Sequence, residues 1–360
     1  MKCMIFGAGA TAYCDIANPD RRPPLVCTSD FLRIVERPLS YTLASSDFAE
    51  KALNPFCVWA FQRFGNLEYF FTLLFFISLE GSFDGIEAKL KEKYNGQGWL
   101  DDVILLASKL RFSILPRNIV GFFIGLVRDE IQLCLGTRGL HPPPYQFQPL
   151  SAQHRKIVGT LRPRDAVISF NWDNVVDYAL LNEKLLNEAS FRNPLFSTIR
   201  VPNDYKIEGA PVSLLKPHGS FNWFSTLPTG LESERIGIFF GKLYEGTEFN
   251  TSPPVILPYF SKELILQQLP VFRNELELTY DALANCDELV VIGKQFLTGD
   301  VDLANSMKRV RSSKQRRVLY VNPEIKDPAW VRHHDSVLNA ANAGEPGKLF
   351  SGMMSYIDSL

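Results

Sequence analysis

The sequence predicts an α/β protein: a doubly wound, mostly parallel, Rossmann-like sheet that carries a large helical insertion. Three observations lead there. Five short apolar, β-branched runs each end in a loop of unusual residues: 3–6 before Gly7, 166–170 before Asn171, 212–215 before His218, 289–292 before Gly293, and 317–321 before Asn322. Runs that are apolar throughout, without alternation, suit strands covered on both faces, as in a parallel sheet. Most are followed by helical text, and strand–loop–helix repetition argues for a doubly wound fold.

The first strand, residues 2–6, turns into Gly7-Ala8-Gly9-Ala10-Thr11. Glycines there let a backbone approach a pyrophosphate, and the next helix presents N–H groups to it. The full GxGxxG fingerprint is absent, and close packing of the turn explains the glycines equally well. Residues 36–150 are rich in Phe and Leu with helical periodicity and read as a helical insertion between the first two strands, with the Pro-rich stretch 141–149 as the return linker. Its most apolar stretch, 67–79, is about 13 residues long. A membrane span needs roughly 20, so this is a buried helix.

Beyond the second strand, residues 173–189 carry apolar side chains at 175, 176, 179, 180 and 185, a helical stripe. Residues 227–248 read as a loop or hairpin and 253–259 as an extended segment. A long helix follows from Ser261 to about Asn285, with Pro270 as its point of bending. A further helix spans 300–311. The sheet domain is therefore drawn from residues 1–35 and 151–330, with 331–360 as a C-terminal extension.

The chain has 360 residues, 46% of them hydrophobic and 21% charged, with a net charge of −1. That material builds a sizeable core, and the balance argues against a strongly basic nucleic-acid binder or a tail for anionic membranes. The basic run from Lys308 to Arg317 reads as a solvated helix face and turn. Six cysteines are scattered without a CxxC pair, so spacing gives neither a zinc ribbon nor a disulfide framework. Free thiols and the lack of a charged-then-apolar leader predict a cytoplasmic protein. The pair His333-His334 reads as an exposed turn, not a metal site.

In doubly wound folds, ligands bind at the carboxyl ends of the strands. There lie Asn171 and Asp173, of which the first also reads as satisfying local backbone and the second as a helix N-cap. His218 ends its strand beside Gly219, and its imidazole titrates near neutral pH, as a general base requires. Gly293 opens a loop running to Asp300, where Thr298 or Asp300 also serves as a helix cap. Asn322 reaches toward a ribose or adenine, or caps the turn before Pro323.

Taken in order, GAGAT, FNWD, KPHGSFNW, VIGKQFLTGD and VNP resemble the sirtuin superfamily. More narrowly, they resemble the sirtuin-like NAD hydrolases of prokaryotic anti-phage defence, which read GAGAS, TNYD, KLHGS with a Trp nearby, and a VIGYS-like segment ending in Asp. The segment Pro254-Val255-Ile256-Leu257-Pro258 with Lys262 is also similar to one common in that branch. The resemblance covers residues 2–35 and about 160–323, and it leaves the helical insertion unexplained.

The resemblance implies that NAD is the substrate and is cut at the nicotinamide–ribose bond, giving nicotinamide and ADP-ribose, in a defence effector that depletes NAD. It implies that Gly7, Ala8, Gly9 and Thr11 line the diphosphate pocket. Asn171 would stand beside the nicotinamide ribose and help place a water. Asp173 would hydrogen-bond the nicotinamide amide, and His218 would act as the base. Gly293 and Asn322 would contact the ribose and adenine end, with Gly219 and Asp300 also around NAD.

Two departures qualify it. The four-cysteine zinc module of protein-deacylating sirtuins is absent, so no zinc is expected. Their GIPDFR-like segment is matched only by Asp30 and Phe31. Both favour NAD hydrolysis over deacylation. The competing readings are a non-catalytic NAD or ADP-ribose sensor and, further off, a protein deacylase or ADP-ribosyl transferase. The aromatic load of the insertion (Phe70, Phe71, Phe75, Phe76) exceeds what one helix face in a monomer buries. It predicts packing over the pocket mouth, a homo-oligomer or a partner defence protein.

Overall fold

The computed structural model describes residues 1–12, 14–16, 92, 151–201, 210–225, 236–239, 270–294, 317–338 and 349–360. Nearly all of the 36–150 insertion lies outside these residues. So do Asp30 and Phe31, the segment 253–262, Thr298, Asp300, the helix read over 300–311 and most of the basic run after it. The chain divides into two compact units. One comprises Met1–Arg22, Gln132–Ile256 and Glu263–Leu360; the other comprises Pro23–Ile131 and Leu257–Lys262. All described residues except Glu92 belong to the first, and the account below concerns that unit.

Its main sheet contains β1 (Lys2–Phe6), β2 (Ala166–Ser169), β4 (Ser213–Leu215), β7 (Glu288–Ile292), β8 (Arg317–Val321) and β9 (Leu349–Phe350). The spatial order is β4-β2-β1-β7-β8-β9, and every pairing is parallel. Numbered by appearance in the chain, these strands run 3-2-1-4-5-6, the order of the doubly wound dinucleotide-binding fold. The winding reverses between β1 and β7. The predicted α/β class with a parallel sheet is thus observed. The segment read as a C-terminal extension contributes β9, the edge strand on β8.

Continuous apolar runs form these strands because both faces are covered. Cys3, Met4, Ile5 and Phe6 are all fully buried. One face of the sheet gathers Cys3, Ile5, Ile168, Leu289, Val291 and Tyr320 against Leu283 and Trp330. The last two belong to helices α4 (Pro270–Asn285) and α5 (Pro328–Leu338). Each such side chain contributes roughly 1.5–3 kcal/mol by leaving water. Helix α1 (Ala8–Ala12) follows β1, α2 (Ala152–Val158) precedes β2, and α6 (Met353–Ile357) follows β9.

Helix α3 (Val175–Asn182) is shorter than the expected 173–189. The chain turns out at Lys184, whose φ of 55° is left-handed. Leu185 N donates to Leu180 O and Lys184 N to Leu181 O, the two bonds of a Schellman close, made here without the usual glycine. Helix α4 is described from Pro270 onward; the first part of the helix read from Ser261, and the bend read at Pro270, lie outside the described residues.

A second sheet has the order β3-β6-β5, from Phe196–Arg200, Ile236–Phe239 and Trp223–Ser225. β5 and β6 pair antiparallel, while β3 pairs parallel with β6. Of the loop or hairpin read over 227–248, only β6 lies among the described residues, and its antiparallel partner β5 precedes that range. Trp223 anchors this region, stacked on Phe272 at 6.0 Å and edge-on to Phe196 at 4.9 Å.

The pair His333-His334 lies in helix α5, not in a turn. His333 is exposed, but His334 is buried. Its ring stacks on Trp330 at 3.6 Å, and its Nδ1 lies 2.8 Å from Trp330 O. The carbonyl can only accept, so that nitrogen carries the proton. Burial drives its pKa down to about 4, so the ring is neutral.

Candidate functional site

Sheet register brings the predicted loops to one edge. Ile5 pairs with Ile168 and Ile168 with Leu215. Ala8, Asn171 and His218 each stand three residues beyond these positions. Phe6, Ile292 and Val321 also pair in line, and Gly7, Gly293 and Asn322 each follow by one. Across the carboxyl edge the order is His218, Asn171, the GAGAT turn, Gly293 and Asn322. The reversal of winding falls between the GAGAT turn and Gly293, where doubly wound folds bind their ligands.

Asn171 is buried and oriented by two bonds. Its Nδ2 donates to Gly7 O at 3.0 Å and to Thr11 Oγ1 at 2.8 Å. Gly7 O only accepts, so the amide nitrogen must face that side, and the assignment of the two ends is fixed by chemistry. Thr11 Oγ1 donates in turn to Asp173 Oδ2 at 2.8 Å. Asp173 Oδ1 accepts from Val175 N at 3.0 Å. Thr11 is itself buried. It links Asn171 to Asp173, next to Ala8 and Gly9, which are partly exposed. Both Asp173 oxygens therefore have partners within the protein. Burial pushes its carboxyl up from the ordinary value, while the Lys216 ammonium opposes the rise.

His218 is half buried in a turn closed by Gly219 N to Lys216 O at 2.9 Å. Pro217 presets the second position of that turn. Gly219 has a φ of 80°, which a side chain would strain. The His218 ring meets Phe170 edge-on, with centroids 5.0 Å apart. Phe170 follows β2 directly, so this contact ties the His218 turn to the end of the neighbouring strand. The two loops are also sewn together. Phe221 N donates to Trp172 O at 2.9 Å. Ser220 Oγ lies 3.3 Å from Trp172 O and 3.0 Å from Asn174 Oδ1, so its one proton is shared between two acceptors.

The glycines at the switch point are explained by backbone against backbone. Gly7 N donates to Ile292 O, and Gly9 N donates to Gly293 O at 2.9 Å. A Cβ on Gly7 would strike Lys294 Cα, and one on Gly293, whose φ is 58°, would strike Ala10 N. Close packing of β1 and β7 is therefore one real reason for these residues. Lys294 follows Gly293, with its ammonium 4.6 Å from the Phe170 ring centroid. One aromatic ring thus touches both a cation and His218.

Beneath the loops lies a polar cluster without a role in the sequence reading. Lys216 Nζ donates to Asp173 O at 2.7 Å and to Asp177 Oδ2 at 2.9 Å. The paired side chains are 1% and 0% exposed. Lys216 N donates to Glu275 Oε2 at 2.8 Å. Burial pushes the Asp177 carboxyl up, with Lys216 opposing. Burial likewise raises Glu275 to about 7, with the Lys216 N–H opposing. One signal was available: Asp177 interrupts the apolar stripe of α3 (VVDYALL), where a charge has no place unless it is paired.

Among the described residues, no group of three His, Cys, Asp or Glu side chains is gathered to hold a metal ion, and no helix is long and apolar enough to cross a membrane. The arrangement offers a half-buried imidazole, an oriented amide and the switch point of the sheet on one edge. It can hold an extended ligand and deliver a base to one end of it. Compared with known proteins, the chain matches no family model and no curated relative.

Proposed function

We propose that this edge binds NAD as a sirtuin-like NAD glycohydrolase does and cleaves the nicotinamide–ribose bond to nicotinamide and ADP-ribose. The observation that carries the reading is the register match of Asn171 and His218 on neighbouring parallel strands, beside a switch-point loop of the GAGAT type. NAD crosses the β1–β7 reversal, with its diphosphate over Ala8 and Gly9 and its adenine end toward Gly293 and Asn322. The nicotinamide ribose then lies between Asn171 and His218.

The chemistry asks little of the protein. The C1′–N bond breaks with its electron pair going to the pyridinium nitrogen, so nicotinamide leaves neutral and no strong acid is needed. The ribose left behind is oxocarbenium-like. Water adds to C1′ and its proton passes to His218. A well-aimed base contributes about 100- to 10,000-fold, and holding ribose and water in line contributes further. Asn171, with its amide nitrogen committed to Gly7 and Thr11, turns its carbonyl oxygen to the water or the ribose hydroxyls. Asp173 holds Thr11 and the start of α3 in place of the nicotinamide contact. Depletion of NAD in the cytoplasm, as in a defence effector, is the role that fits this activity.

Purified full-length chain incubated with NAD tests the reading, with nicotinamide and ADP-ribose followed together. They are expected in equal amounts. Tight NAD binding with no product in any oligomeric or partner-bound state would replace the enzyme with a sensor.

A further inference from the structure

We propose that Lys216 is a positioning residue for this site, its buried ammonium setting the loop that carries Asn171 against the loop that carries His218. The proposal rests on the reading of Asn171 and His218 as the working pair.

A buried ammonium is costly to desolvate, and an apolar pair in place of a buried ion pair often leaves a protein as stable or more so. Stability alone therefore gives no reason for Lys216 and Asp177. The geometry gives another. Lys216 lies directly after β4 and two residues before His218. Its ammonium bonds the carbonyl of Asp173 as well as the carboxylate of Asp177, which stands in the first turn of α3. The preceding carbonyl, that of Trp172, is taken by Phe221 N. Two successive carbonyls of the Asn171–Asp173 loop are thus held by the 216–221 segment. The far side of that loop is held by Thr11 and Gly7 through the Asn171 amide. An ion pair kept for folding needs only the Asp177 bond; positioning needs the bond to Asp173 O.

The test separates the two bonds in the full chain. Lys216→Met leaves Asp177 unmatched. The pair Lys216→Met with Asp177→Leu removes the ion pair whole and leaves the Asp173 carboxylate its bonds from Thr11 and Val175, yet still deprives Asp173 O of its cation. In the pair, thermal unfolding is expected near that of the parent chain. NAD turnover is expected to fall about a hundredfold, in kcat with little change in KM. Hydrogen exchange at Phe221 N–H is expected to quicken about tenfold or more, because its acceptor loop is released. A folded pair with parental turnover and parental exchange would overturn the proposal. So would a pair that cannot fold, since Lys216 would then be a folding residue alone. If the parent chain itself fails to hydrolyse NAD, the functional reading falls separately, and the exchange measurement still decides whether Lys216 fixes the loop.

Discussion

Asn171, from the loop after β2, and Thr11, from helix α1 after the adjacent β1, share a 2.8 Å hydrogen bond in which the amide donates and the hydroxyl accepts. The hydroxyl passes its own proton on to Asp173. The direction of each bond follows from Gly7 O, which only accepts. Asn171 therefore cannot reverse its amide without losing two bonds.

Thr11→Val keeps the shape and removes the link. It leaves an amide proton and a carboxylate oxygen each short of a buried partner, which costs about 1–3 kcal/mol. Urea unfolding should show that loss. Turnover should fall about tenfold or more as Asn171 loosens. Thr11→Ser, which keeps the hydroxyl, should retain most of the activity. Equal activity in the Val and Ser variants would show that the link does not orient Asn171.

The switch-point packing predicts a sharp contrast between two glycines. Gly293→Ala puts a side chain at a φ of 58° and into Ala10 N. It should destabilise by about 2–4 kcal/mol. Gly352→Ala meets nothing within 4 Å, at an extended φ of 178°. It should change stability by no more than about 0.5 kcal/mol. Denaturant midpoints of the two variants make the comparison.

Two buried groups give opposite pH dependences. Glu275 keeps its proton to about pH 7 when folded, against an ordinary value of 4.5. Between those values the folded chain binds the extra proton, so this contribution is intact below 4.5 and is lost as pH rises through 7. The effect is at most about 3 kcal/mol. Glu275→Gln should flatten it and gain stability at pH 8 relative to the parent.

His154 behaves in reverse. Its ring stacks on Phe6 at 5.5 Å, and burial lowers its pKa from 6.5 to about 4, with Asp15 opposing. The folded chain resists the proton that the unfolded chain accepts. Its contribution is therefore complete above 6.5 and disappears as pH falls through 4. His154→Phe should shrink the acid slope in unfolding curves recorded from pH 4 to 6.5, the rest coming from His334, whose pKa burial lowers in the same way. A slope unchanged from the parent would place its origin elsewhere.

The five strand ends were legible because a strand buried on both faces must be apolar at every position, and no tertiary knowledge is needed to see that. β3 and β9 were not. Phe196–Arg200 mixes polar and apolar residues, and Leu349–Phe350 is only two residues long. The end of α3 was missed because Lys184 takes a conformation that ordinarily announces itself as glycine. His334 was misread because its burial depends on Trp330 one turn earlier and on Tyr320 of β8, against which the helix packs. At the site, Asn171, Asp173 and His218 stood out as polar residues at strand ends. Lys216 and Glu275 did not, because a charged side chain reads as surface until its partners, distant in sequence, are known.

Kinetics of NAD cleavage by the parent chain, Asn171→Ala and His218→Ala bear most directly on whether these two side chains act on one ribose. Nicotinamide release should fall about 100- to 10,000-fold in His218→Ala and by a similar factor in Asn171→Ala, with the double variant little worse than either. Full activity in both single variants would contradict the assignment.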